Sequence, residues 1–143
     1  MADDSGNLAE LIDDSLEHLA ERVGDPGPLL YEDLFERAPE VVELFILDTD
    51  GSVRGEMLYR AFESLRDLAA GRGFAADALA LEVRNHLGYG VPIERFTLFF
   101  DLIAEACQRA SADDWSPAHA RAWQALRVKA LAIIDEAVGV YGG

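Results

Sequence analysis

The chain is short of cysteine, of basic residues and of long apolar runs, and each shortage closes off a class of function. Cys107 is the single cysteine, so neither an intrachain disulfide nor a cysteine-rich metal cluster can form. That usage suits a reducing compartment. Only 12 basic side chains stand against 27 acidic ones, for a formal net charge of -15. Such a surface repels nucleic acid and anionic lipid and disfavours loose association. No charge-free apolar stretch of about 18 residues occurs, so no membrane span is predicted. The start, Met1-Ala2-Asp3-Asp4, is acidic and polar, unlike a signal peptide, and the expected location is the cytoplasm. Phosphate loops, zinc-ligand clusters and nucleophile motifs are lacking as well.

What is present is 143 residues, half of them hydrophobic, with alanine and leucine dominant. That is enough for one domain with a real core, taken as residues 1–143. Apolar residues recur at helical spacing in segment after segment. A first helix is predicted over Leu8–Val23, with Leu8, Leu11, Ile12, Leu16, Leu19 and Val23 inward; Gly24-Asp25-Pro26-Gly27-Pro28 ends it. A second runs over Pro28–Arg37, and a short piece opened by Pro39 carries Val41, Leu44 and Phe45. Asp48-Thr49-Asp50-Gly51 is a turn; it lacks the later acidic ligands that a calcium loop requires. Further helices are predicted over Ser52–Ala69, Ala75–Leu87, Pro92–Arg109 and Ser116–Val138. The last is given the apolar stripe Ala122, Trp123, Leu126, Ala130, Ile133 and Ala137. No segment reads as a strand, so the expected class is all-α.

Three pieces carry a family likeness. His86-Leu87-Gly88-Tyr89-Gly90-Val91-Pro92-Ile93-Glu94-Arg95-Phe96 resembles the proximal region of bacterial single-domain globins and flavohaemoglobins. Asp114-Trp115-Ser116-Pro117, leading to Ala122-Trp123, is similar to the opening of the last globin helix. Leu30-Tyr31-Glu32-Asp33-Leu34-Phe35, followed by Pro39-Glu40 and Leu44-Phe45, is similar to the distal B helix and the corner after it. With the three in register, the resemblance covers about residues 8–138. The resemblance implies a globin fold, roughly six to eight helices around a haem pocket, with haem b as cofactor.

The resemblance also assigns roles. His86 becomes the proximal iron ligand, its other ring nitrogen donating to a carbonyl or similar group. Tyr31 matches a distal tyrosine whose hydroxyl would point at bound gas, and Phe45 the phenylalanine that wedges against the ring. Arg54 falls where a distal glutamine or histidine is usual, with Leu58 one turn on. For Arg54 three roles stay open: meeting a haem carboxylate, bonding a ligand, or lying in solvent at a helix start. Phe96 stands where flavohaemoglobins tend to carry a tyrosine, which weakens any push of electron density toward iron. Leu87 and Val91 resemble apolar neighbours of the proximal face, and Arg84 and Arg95 flank it as candidate partners for haem carboxylates. Read from the sequence alone, His18 lies on a surface helix, His119 in a first turn, and Cys107 is a packed thiol.

The expected function is therefore reversible binding of oxygen or another diatomic gas. The alternatives are nitric oxide dioxygenation with a separate reductase, and a gas-sensing or haem-free interaction domain. The expected partners are a gas ligand and that reductase, with neither nucleic acid nor membrane. A monomer and a specific homodimer both fit.

Overall fold

The computed structural model describes the backbone of residues 4–142 and the side chains of residues 8–139. Six α-helices follow one another: α1 (Asp4–Val23), α2 (Gly27–Arg37), α3 (Ser52–Ala69), α4 (Ala75–Gly88), α5 (Ile93–Ser111) and α6 (Pro117–Gly142). Short 3-10 segments at Pro39–Phe45 and Ala112–Asp114 join α2 to α3 and α5 to α6. No strand occurs among the described residues, and no helix is long and apolar enough to cross a membrane. The predicted helices are all present. The piece after Pro39 winds as a 3-10 segment, with Pro39 in its first turn, where no amide hydrogen is needed.

Helix α1 lies across α3, α5 and α6, α6 runs along α4, and α2 packs on α5. The inward stripes meet as expected for Ile12, Leu16 and Leu19 of α1, Leu65 and Leu68 of α3, and Ile103 and Cys107 of α5, all buried. Burial pushes the Cys107 thiol up to about 12, so it remains a protonated packing group. Two stripe positions differ from expectation. Val23 is 41% exposed because α1 ends there, and on α6 the buried isoleucine is Ile134, not Ile133. Ile134 stands four residues beyond Ala130 and so completes its face, whereas Ile133 is rotated away by a hundred degrees.

Polar groups fix how the helices cross. The indole of Trp123 donates to Ser15 Oγ at 3.1 Å, and that hydroxyl in turn donates to the Leu11 carbonyl at 2.8 Å. This satisfies two buried groups and ties α6 to α1. Ser116 caps α6, and the His119 ring takes the part usually played by glutamate in a capping box: Nδ1 accepts from the Ser116 amide at 3.1 Å. Its Nε2 reaches Asp14 of α1 at 2.7 Å, so His119, expected in an ordinary first turn, is buried and bridges two helices. His18, expected on the surface, bonds Ser111 Oγ at 2.9 Å. The Arg22 guanidinium donates to the Ala110 and Ser111 carbonyls at 2.9 and 2.7 Å, closing the end of α5, and also pairs with Asp114.

At that same corner Ala112 sits at φ 49°, ψ -119°. A side chain is disfavoured there and glycine is at home. Ala112→Gly is expected to stabilise the fold by about 1 kcal/mol, a rise in Tm of roughly 3 °C. A calorimetric Tm that is unchanged or lower would show that the corner is unstrained.

Candidate functional site

The helices border a half-open cavity of about 390 Å³, within the ~300–1,000 Å³ range of small-molecule sites. One wall comes from α3 (Met57, Ala61, Ser64, Leu68) and another from α4 (Leu79, Glu82, His86). Phe96, Phe99, Phe100 and Ile103 of α5 and Ala130, Leu131 and Ile134 of α6 close the floor, and Tyr31 and Phe45 close one end. The three α5 phenylalanines are only partly buried and line this space.

His86 stands in the last turn of α4, on the stripe begun by the buried Leu79 and Val83. Its Nδ1 lies 2.7 Å from the Glu82 carbonyl one turn back. A carbonyl oxygen only accepts, so Nδ1 carries the hydrogen, and in the neutral ring Nε2 keeps its lone pair. Phe96 meets the ring edge to face, centroids 5.0 Å apart at 78°. Gly90, at φ 84°, turns the chain so that the Val91 amide donates to the His86 carbonyl at 3.0 Å. That turn sets Val91 in the cavity wall.

At the far end Tyr31 is 3% exposed and packs against Phe35, Phe45 and Phe99 with centroids 6.0, 5.6 and 5.3 Å away. Its hydroxyl was expected to point at a gas ligand; it donates instead to the Arg54 backbone carbonyl at 3.0 Å. Burial, foremost, raises the phenol well above its ordinary pKa, and nearby Arg54 opposes this in part. The hydroxyl therefore stays protonated.

Of the ten residues proposed from the sequence, Tyr31, Phe45, His86, Val91, Arg95 and Phe96 line the cavity, and four do not. Arg54 folds back onto Asp48, with Nε 3.0 Å from Oδ2 and Nη2 3.2 Å from its carbonyl. Of its three open roles, none within the cavity is realised. Leu58 is buried against the start of α2 near Gly27, and Met57, one residue earlier, takes the place on the cavity wall. Leu87 packs on the core one residue past His86, a hundred degrees round the helix. Arg84 faces the opposite way, into a shallow depression with Asp77, Ile133 and Glu136.

Residues that sequence reasoning passed over include Met57, Ser64, Glu82, Arg60 and Arg127, while Arg95 was placed near the site and does line it. The signal for Met57, Arg60 and Ser64 was their spacing of three and four, which follows a face one residue off the stripe chosen. Each cavity arginine is already paired. Arg60 is 3.2 Å from Glu56 and 3.8 Å from Glu82, Arg127 is 2.9 Å from Asp101, and Arg95 pairs with Glu40. Among the described residues no cluster of three or more histidine, cysteine or acidic side chains could hold a bare metal ion. No protein-family model matches the chain, and no curated protein matches its sequence.

Asp48 anchors the start of α3: its two carboxylate oxygens accept from the Val53 and Arg54 amides, each at 3.0 Å. Burial pushes its carboxyl up, but these amides and the Arg54 guanidinium outweigh burial and hold the carboxyl below its usual value of 3.8. The folded state thus favours the ionised form. The stabilisation is full above the unfolded value and is lost as pH falls through the depressed one. Asp48→Asn is expected to lower Tm at pH 7 and to flatten the fall of Tm between about pH 4 and pH 2. An unchanged acid limb in that variant would contradict this assignment.

Proposed function

We propose that this chain is a globin-like, haem-binding domain in which His86 Nε2 holds the iron and a diatomic gas binds reversibly on the Tyr31 side. The observation that carries the reading is the His86 ring, with Nδ1 committed to the Glu82 carbonyl and the ring set in the wall of an apolar cavity. Iron-ligating imidazoles are oriented by such an outer hydrogen bond. The helix order is consistent with a globin: a long first helix, a short second one, a 3-10 corner, then a pair flanking the cavity and two long closing helices.

The residues suit the group. Haem is a broad apolar disc with two carboxylates, and the cavity has an apolar interior with three arginines in its lining. Those arginines are engaged with partly exposed carboxylates. Exposed pairs of this kind are worth about 1 kcal/mol or less, so a haem carboxylate can take the place of the protein's own. When bound, haem would supply an iron centre able to take a small gas, with His86 as the residue that would hold the iron. Around it Phe45, Phe99 and Met57 exclude water, and Phe96 packs edge to face on the His86 ring.

Between storage and oxygen-activating chemistry, the His86 partner favours storage or delivery. A neutral carbonyl on Nδ1 raises imidazole basicity less than a carboxylate would, and Phe96 offers no hydroxyl to add to it. Nitric oxide dioxygenation would in addition require a separate reductase.

Expression in haem-replete cells is expected to yield a red protein with one haem per chain and a strong absorbance band near ~400 nm that shifts with carbon monoxide. His86→Ala should retain haem at least about tenfold less well, and His86→Gly should regain a liganded spectrum when imidazole is added. Full haem stoichiometry with an unaltered spectrum in His86→Ala would overturn the assignment.

A further inference from the structure

Tyr31 has one hydroxyl hydrogen and two calls on it. The Arg54 carbonyl holds it now, at 3.0 Å. A polar ligand in the cavity would need the same hydrogen. That carbonyl belongs to the first turn of α3, and the turn is clamped from outside the cavity by Asp48. One carboxylate oxygen takes the Val53 amide, the other takes both the Arg54 amide and its Nε, and the Asp48 carbonyl takes Arg54 Nη2. Asp48 is 8% exposed, while its partner Arg54 stays part-buried. Gly51, at φ 77°, makes the tight turn that lets Asp48 reach past itself to residues 53 and 54. With Asp48 fixed to both its amide and its guanidinium, Arg54 has little freedom to withdraw its carbonyl from the phenol.

We infer that Asp48 is a positioning residue for the cavity: by locking Arg54 it ties down the Tyr31 hydroxyl and lowers the cavity's preference for polar over apolar diatomic ligands. This rests on the haem reading above. Oxygen gains from a hydrogen-bond donor because charge shifts onto it when it binds, whereas carbon monoxide gains little. A tied hydroxyl therefore discriminates little between them, and a released one favours oxygen.

The test compares the wild type with Asp48→Ala, Tyr31→Phe and the double variant, all loaded with haem. The readouts are the oxygen-to-carbon-monoxide affinity ratio and the infrared stretch of bound carbon monoxide. Asp48→Ala is expected to raise the ratio about three- to tenfold, the worth of one neutral hydrogen bond, and to lower the stretching frequency. Tyr31→Phe should change the ratio less than about twofold, and in its background Asp48→Ala should do nothing. A purely structural role for Asp48 would give the same effect with or without the phenol, and that outcome overturns the inference. So does a tenfold loss of oxygen preference in Tyr31→Phe alone, which would mean that the hydroxyl already serves the ligand. Should Asp48→Ala fail to fold, Arg54→Ala removes only the guanidinium arm and should shift both readouts in the same direction by a smaller amount; no shift there overturns the inference.

The clamp is also readable without haem. In the haem-free protein, the Tyr31 hydroxyl proton, identified by its loss in Tyr31→Phe, should give an exchange-protected magnetic resonance signal. Asp48→Ala, or Arg54→Ala to a lesser degree, should broaden it. A chain that takes up no haem but shows this behaviour refutes the haem reading and leaves the clamp standing. A signal untouched by both variants refutes the clamp.

Discussion

The hydrogen bond from His86 Nδ1 to the Glu82 carbonyl is the interaction on which the site depends. It is local, spans one turn of α4, and costs the helix nothing, because that carbonyl can still accept its own helical partner. Yet it decides three things together. It fixes which nitrogen carries the hydrogen, it fixes the plane of the ring, and it leaves the other nitrogen as a donor of electrons. Lose that bond and the ring is free to turn or change tautomer, and the cavity becomes an apolar pocket without a chemical centre.

The rest of the fold serves to keep that space open. Well-packed helices tend to fill the volume between them, but here the aromatic side chains that could fill it stack on one another. Tyr31, Phe35, Phe45 and Phe99 form one group at the far end, and Phe96 stands against the His86 ring. Phe100 of the cavity floor meets Trp123 at 5.8 Å. Trp123 is in turn held by Ser15, so the cavity floor is tied to α1. Further polar joins fix the helix ends: Asp48 at the start of α3, Arg22 at the end of α5, and Ser116 with His119 at the start of α6. Rigid ends permit an open middle.

The sequence carried most of the helices legibly because apolar spacing and turn signals agree at nearly every boundary. Gly24, Gly51 and Gly90 fall at turns where φ is positive, and Pro39 opens the segment after α2. The site was legible in part. His86, Tyr31, Phe45, Val91 and Phe96, singled out in the sequence, line one cavity. The failures are rotational. Leu58, Leu87 and Arg84 each lie one or two residues from a position that does or should face the cavity, and one residue is a hundred degrees of helix. Spacing alone cannot choose between Met57 and Leu58 when both are apolar. Arg54 was misplaced for another reason: its partner Asp48 was read as part of a turn, and nothing local announces that a turn aspartate will cap the next helix and hold a guanidinium as well. His119 shows the same blindness, since its capping bond is local but its bond to Asp14 spans nearly the whole chain.

The central claim is that a neutral, carbonyl-bonded imidazole from His86 ligates iron. Resonance Raman spectroscopy of the ferrous, gas-free protein tests it most directly, because the iron–nitrogen stretch reports both the ligand and its protonation. The account predicts an iron–histidine band at the frequency of a neutral imidazole, and in a His86→Gly protein supplied with imidazole a band that shifts when that imidazole is isotopically labelled. A ferrous protein with no such band, or one whose band persists unshifted when His86 is gone, would contradict it.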